Sequence, residues 1–62
     1  MRNPARIDIV LKTLGLLWKK VPDWRLGQLI CNLQRYKGND LFYMEDDVFC
    51  DLCDEMRKDL EI

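Results

Sequence analysis

The chain has 62 residues, 48% of them apolar, and a formal net charge of −1 at pH 7. This composition predicts one small folded domain rather than a disordered chain, with a core close to the lower size limit for a protein without disulfides or metals. The sequence has no His and no Ser, which excludes serine triads, cysteine–histidine pairs and histidine-ligated metal sites within one chain. We therefore expect no enzyme activity, no cofactor and no metal.

The first predicted helix covers about residues 4–20. Asn3 is suited to cap its start, and Pro4 fits the first helical position. Apolar residues then recur at spacings of three and four, which predicts one buried face over about four turns. These residues are Ile7, Val10, Leu11, Leu14, Leu17, Trp18 and Val21.

A turn and a second helix follow. Pro22 ends the first helix, because proline lacks the backbone N–H and pushes the preceding residue out of helical geometry. Asp23 is expected to cap a second helix over about residues 24–37. Lys37 and Gly38 predict its end, with a cationic last turn and a left-handed residue. The expected buried stripe consists of Leu26, Leu29, Ile30 and Leu33.

Two glycines, Gly15 and Gly27, lie inside these helices on either side of the turn. A glycine in a helix interior costs about 1 kcal/mol relative to alanine. We therefore expect the two helices to approach each other closely at these positions.

A short extended connector is predicted over residues 39–45, and its apolar run Leu41–Met44 is expected to lie across the helix pair. A third helix covers about residues 46–60 and begins with acids, which the positive end of the helix dipole favours. Its apolar face consists of Phe49, Leu52, Cys53, Met56 and Leu60. The sequence thus predicts an all-α fold, a compact three-helix domain that spans residues 1–62.

The first helix carries a second apolar stripe. Ala5, Ile9 and Leu16 lie close to one line on a helical wheel. One interpretation places this helix between the other two helices. The other interpretation makes the stripe, together with the stem of Lys20, a surface for a second copy or for another protein. The sequence leaves both open.

Charge is divided between the two parts of the chain. Residues 1–38 hold eight Lys and Arg against two Asp, whereas residues 39–62 hold nine acids against Arg57 and Lys58. The acids of the third helix can pair with the basic part inside the fold, or they can form a negative surface that binds a basic partner. The candidate partner-binding acids are Asp47, Asp51, Asp54 and Glu55.

Cys50 and Cys53 form a C-D-L-C sequence. A redox C-x-x-C motif normally begins a helix, where the dipole lowers the thiol pKa. These two residues are instead predicted inside the third helix and among acids, and tetrahedral zinc needs four ligands. We expect Cys53 in the core, Cys50 at its edge and Cys31 on the flank of the second helix.

The second helix also offers a possible nucleic-acid face. Its polar side has residue types that read base edges. An acidic chain, however, repels phosphate, so this face is the alternative hypothesis. It consists of Arg25, Gln28, Asn32 and Arg35.

A longer pattern indicates a family. Residues 6–33 read R-I-x-x-V-L-x-x-L-x-x-x-W-x-K-x-P-D-x-x-L-x-Q-L-I-x-x-L, and residues 41–47 read L-x-x-x-E-D-D. In these residues the chain resembles the YihD-like family of small bacterial proteins of unknown function, with relatives among phage and Gram-positive sequences. The matching positions are Arg6, Val10, Leu14, Trp18, Lys20, Pro22, Asp23, Gln28, Ile30, Leu33, Asp46 and Asp47. The resemblance implies an α-helical cytoplasmic protein without established chemistry.

The functional expectation is a non-catalytic protein–protein interaction module that self-associates as a homodimer. A phage-encoded or regulatory inhibitor of a larger protein fits the size of the chain. The alternatives are a small DNA-binding regulator that uses the second helix, and a purely structural dimer. Asp8 and Lys12 interrupt the first apolar run, which argues against a signal peptide. Lys12, Lys19 and Lys20 interrupt the longest apolar region, which argues against a membrane helix. We therefore expect a cytoplasmic location and no membrane partner.

Overall fold

Three helices form the regular structure of the chain in the computed structural model, which describes residues 2–61. They are α1 (Ala5–Trp18), α2 (Leu26–Arg35) and α3 (Asp46–Leu60). No strand occurs within residues 2–61. The predicted all-α, three-helix fold is confirmed.

The predicted signals account for the starts of α1 and α3. Asn3 Oδ1 accepts a hydrogen bond from the Ala5 backbone N–H at 3.0 Å, which is the capping that the Asn-Pro pair indicates. Asp46 and Asp47 occupy the first turn of α3, where their negative charges interact favourably with the positive end of the helix dipole.

The predicted start of α2 is wrong by two residues. Trp24 is held in the turn, because its N–H donates to the Val21 carbonyl at 3.0 Å and its carbonyl accepts the Trp18 indole N–H at 2.8 Å. α2 therefore begins after Arg25, whose backbone N–H donates to Gln28 Oε1 at 2.8 Å. This bond from the third residue of the helix replaces the expected Asp23 cap.

α1 and α3 lie side by side and run parallel. Near their starts, Arg6 Nη1 lies 3.0 Å from Asp46 Oδ2. Near their ends, Lys20 Nζ lies 3.2 Å from Glu61 Oε1. Contacts at both ends between residues in the same order require parallel axes, and α1 packs chiefly on α3.

α2 crosses this pair near its C-terminal end. Its start is tied to the end of α1 through the Trp18 indole. Just beyond its last residue, the Tyr36 hydroxyl donates to the Asp59 carboxylate and the Lys37 ammonium donates to Glu55. Both ends of α2 are thus held by the C-terminal halves of the other two helices.

The core lies where α2 crosses the pair. The buried apolar side chains are Leu17, Leu29, Leu33, Leu52, Cys53 and Met56. Ile7 and Leu11, which were predicted on the buried face of the first helix, are instead 46% and 58% exposed. The reason is that α2 does not reach the N-terminal half of α1. Leu26 and Leu60, also predicted to be buried, are exposed at the ends of their helices.

The connector differs from its extended prediction. Leu41–Tyr43 forms a 3₁₀ turn, which Asp40 Oδ1 starts by accepting the Phe42 N–H at 3.1 Å. Because side chains three apart align in a 3₁₀ helix, Leu41 and Met44 pack on the core. Phe42 and Tyr43 point away from it, so only half of the apolar run lies on the helices.

The predicted close helix approach at Gly15 and Gly27 is wrong, whereas the predicted left-handed helix end at Gly38 is confirmed. No neighbouring heavy atom lies within 4 Å of the position that a Cβ would occupy at Gly15 or Gly27, so no close helix approach explains them. Gly38 has φ +68°, and Lys37 before it has φ 59°. The chain therefore leaves α2 through two left-handed residues.

The two kinds of glycine predict opposite effects on stability. Gly27→Ala should raise the free energy of unfolding by up to about 1 kcal/mol, because alanine favours the helix and meets open space. Gly38→Ala should lower it by about 1–2 kcal/mol, because a Cβ is strained in the left-handed region. Urea unfolding of both variants measures the difference, and a destabilised Gly27→Ala would contradict the open site.

Candidate protein-binding surface

The structure brings most of the predicted partner-binding residues to one face. A groove of about 210 Å³ runs along the junction of α1 and α3. It is lined by Arg6, Ile9, Val10, Asp46, Asp47 and Cys50. Helical spacing continues this face along both helices. We call it the seam surface, and it consists of Ala5, Ile9 and Leu16 of α1 with Asp47, Asp51 and Asp54 of α3.

The apolar half of the seam surface is open. Ile9 is 63% exposed and Leu16 is 40% exposed, and Ala5 is also exposed. The interpretation that placed the first helix between the other two is therefore wrong. α1 has α3 on one side, and α2 covers only its end.

The acids divide into two groups. Asp47 and Asp51 are exposed, and within the described part of the chain neither takes part in an ion pair. Asp54 lies 3.6 Å from Arg57 one turn later in the same helix. Glu55 pairs with Lys37 at the end of α2, so its carboxylate, unlike those of Asp47 and Asp51, is already engaged by a cation of the chain.

Ion pairs also join the basic and acidic parts of the chain, as one of the two charge interpretations predicted. Four pairs connect them: Arg2–Glu45, Arg6–Asp46, Lys20–Glu61 and Lys37–Glu55. All are solvent-exposed to a large degree, so each contributes about 1 kcal/mol or less. Lys20, predicted as part of the binding surface, has its ammonium engaged by Glu61.

The cysteines occupy the predicted positions. Cys53 is fully buried, Cys50 is half-buried and Cys31 is exposed. Burial, followed by the nearby Cys50 and Asp54, raises the pKa of the Cys53 thiol to about 12. Such a thiol stays protonated and unreactive near neutral pH. In residues 2–61, no group of three or more His, Cys, Asp or Glu is placed to hold a metal ion.

The proposed nucleic-acid face is brought together only in part. A shallow depression of about 480 Å³ lies on the solvent side of α2. Its lining includes Gln28, Asn32 and Arg35, whereas Arg25 lies before the helix. The Gln28 oxygen already accepts the Arg25 backbone N–H, which removes an acceptor from base recognition.

Sequence reasoning missed the exposed aromatic pair. Phe42 and Tyr43 are 85% and 80% exposed, and their rings meet edge to face with centroids 4.9 Å apart. The signal was the spacing of Leu41 and Met44 after Asp40, which fits a 3₁₀ turn better than a strand. Within residues 2–61, these two rings contact each other but are left largely uncovered by the rest of the chain.

Comparison with protein-family models, curated proteins and solved structures finds no match for the chain. The resemblance to the YihD-like family therefore stays a prediction. Within residues 2–61, no helix has both the length and the apolar character required to cross a membrane.

The burial of the cysteines predicts their order of reaction. Iodoacetamide at mildly alkaline pH should modify Cys31 first, and Cys53 should react only when the protein unfolds. Peptide mass spectrometry of a time course measures the order, with a urea-unfolded sample as the control. Modification of Cys53 as fast as Cys31 in the folded protein would contradict the burial.

The raised Cys53 pKa also predicts how stability depends on pH. The unfolded thiol ionises near pH 9, whereas the folded thiol stays protonated up to about pH 12. Its contribution to the free energy of unfolding should therefore be complete below pH 9 and decline as pH rises towards 12. Urea unfolding across this range measures the decline. In a Cys53→Ala variant, the part of the decline that comes from the Cys53 thiol should be absent.

Proposed function

We propose that the protein is a non-catalytic protein–protein interaction module whose seam surface binds a protein partner in the cytoplasm. The observation that carries this proposal is the groove where the exposed Ile9 lies beside the acid Asp47. A regulatory or phage-encoded inhibitor would act in this way, by covering a functional surface of a larger protein.

The apolar half of the seam surface supports a protein as the ligand. Ile9 and Leu16 are exposed, and they lie in line with Ala5 along one side of α1. Apolar side chains in a row with polar residues at their edge form the usual centre of a protein interface. An amphipathic helix of the partner would fit such a row, with its own apolar side chains at helical spacing.

The acidic half indicates the charge of that partner. Asp47 and Asp51 are exposed and take part in no ion pair within residues 2–61. A partner helix that carries Lys or Arg beside its apolar stripe would pair with them. Such pairs mainly accelerate association and select the partner, so binding should weaken as salt rises.

The chemistry of the chain supports a non-catalytic role. The sequence has no His or Ser to serve as base or nucleophile. The high pKa of the buried Cys53 thiol, about 12, keeps its thiolate concentration very low near neutral pH. What the chain does offer is exposed apolar and charged surface.

Pull-down of partners from the source cell tests the proposal. The double variant Ile9→Glu/Leu16→Glu should stay folded, because both side chains are exposed, and should bind its partner at least about tenfold more weakly, about 1.4 kcal/mol. The matched control is Val48→Glu, which adds a charge at an exposed apolar residue of α3 that belongs to neither the seam groove nor the first helix. Equal recovery of the same partners by wild type and the double variant would contradict the proposal.

A second pair of variants tests the acids. Asp51→Asn should weaken partner binding at low salt and have little effect at high salt. Asp40→Asn, which makes the same charge change on the connector, should leave binding unchanged. Calorimetric titration at two salt concentrations measures both, and equal effects of the two variants would indicate only a general effect of net charge.

DNA binding through α2 stays the alternative proposal. In its favour, Gln28, Asn32 and Arg35 line one depression. Against it, the Gln28 oxygen is occupied, and the acids of α3 would repel phosphate. A band shift of duplex DNA at low salt that is lost in Arg35→Ala would favour this alternative over the seam surface.

A further inference from the structure

α1 exposes apolar side chains on a second side, away from the seam surface. Ile7 is 46% exposed and Leu11 is 58% exposed. The same helical spacing continues through Gly15 to Trp18, which border an open apolar groove of about 270 Å³. The groove is lined by Gly15, Trp18, Lys19 and Pro22. We call the row Ile7, Leu11, Gly15 and Trp18 the lateral stripe.

A helix that is apolar on several sides is typical of one that is buried in an assembly. Within its own chain, however, α1 buries only Leu17 fully. The seam surface accounts for one of its exposed apolar sides, and the lateral stripe remains as a separate face.

The lateral stripe is complementary to itself when two α1 helices run antiparallel. Ile7 and Gly15 lie the same number of residues before and after Leu11, so a two-fold axis at Leu11 places Ile7 of each copy over Gly15 of the other. The space there is open, since no neighbouring heavy atom lies within 4 Å of the Cβ position of Gly15. Ile7 would thus fill the groove beside Trp18 of the second copy, and the contact would occur twice.

The charges beside the stripe select the same direction. Asp8 and Lys12 are exposed and lie on one flank of the lateral stripe at a helical spacing of four. In the antiparallel pair, Asp8 of one copy lies about 3 Å along the axis from Lys12 of the other, at 1.5 Å per residue. In a parallel two-fold pair, by contrast, this flank of one copy faces the opposite flank of the other, so Asp8 and Lys12 of the two copies do not meet and add no attraction.

We infer that a second copy of this chain occupies the lateral stripe, in an antiparallel two-fold dimer of α1 helices centred on Leu11. The inference goes beyond the proposed function, because self-association and partner binding then use different faces of α1. The dimer leaves the seam surface open on both copies, and it would present two partner sites.

Sedimentation equilibrium across the micromolar range tests the dimer. Wild type should have twice the 7.5 kDa chain mass, and Leu11→Glu should be a folded monomer, because two carboxylates would meet at the axis. The matched control Ile9→Glu makes the same change at a more exposed residue and should stay dimeric. Gly15→Leu should also be monomeric, because its side chain fills the groove that Ile7 requires. If Leu11→Glu fails to fold, the mass of Gly15→Leu still tests the dimer.

Charge exchange tests the direction of the pair. Asp8→Lys should weaken dimerisation, because two positive charges would then meet. The double variant Asp8→Lys/Lys12→Asp should restore it, because in the antiparallel pair each residue 8 again lies beside an opposite charge at residue 12 of the other copy. A parallel pair predicts no such rescue.

Three results would overturn the dimer: a monomeric wild type, a dimer that Ile9→Glu disrupts and Leu11→Glu does not, or a dimer that tolerates Gly15→Leu. None of them would affect the proposed function, which is measured by partner recovery on Ile9→Glu/Leu16→Glu. Conversely, loss of the seam proposal would leave the mass of the dimer unchanged.

Discussion

The hydrogen bond from the Trp18 indole N–H to the Trp24 carbonyl fixes the turn between α1 and α2, and the other elements take their places from that turn. It keeps Trp24 out of the helix, so α2 begins at Leu26 and crosses the C-terminal end of α1. After Lys37, which pairs with Glu55 in the C-terminal half of α3, the connector must return along the molecule before α3 can begin. α1 and α3 are parallel for this reason.

The same constraint explains why so much apolar surface stays open. A ten-residue α2 is about 15 Å long, which is enough to cover one end of the α1–α3 pair. The core is therefore concentrated around Leu17, Leu33 and Cys53. The first turns of α1 have apolar side chains on two sides that no other part of the described chain covers. In a chain this short, surface that the fold cannot bury is available to other chains. Both proposed interfaces depend on that shortage of cover.

Local sequence signals predicted the local structure well. The Asn3–Pro4 start of the first helix, the acids that begin the third and the glycine stop after the second all depend on a few neighbouring residues. What the sequence could not show was which apolar residues would be covered, because that depends on the direction in which α2 leaves the turn. Ile7 and Leu11 have the same helical spacing as Leu14, yet only Leu14 packs against the core. The sequence placed Ile9 and Asp47 on separate faces of two different helices. They lie together in the structure because α1 and α3 run parallel and side by side. The pairing of Glu55 with Lys37 was not foreseen for the same reason, since Lys37 is positioned by the end of α2.

The parallel arrangement of α1 and α3 is the central claim, since it places Ile9 beside Asp47 in the seam surface. Nuclear Overhauser contacts between side chains of the two helices measure it most directly, on the Leu11→Glu variant if wild type is dimeric. The account predicts contacts from the Val10 methyl groups to Cys50, because both line the seam groove. Contacts from Val10 to Met56 and the residues beyond it, with none to Cys50, would indicate antiparallel helices and contradict the account.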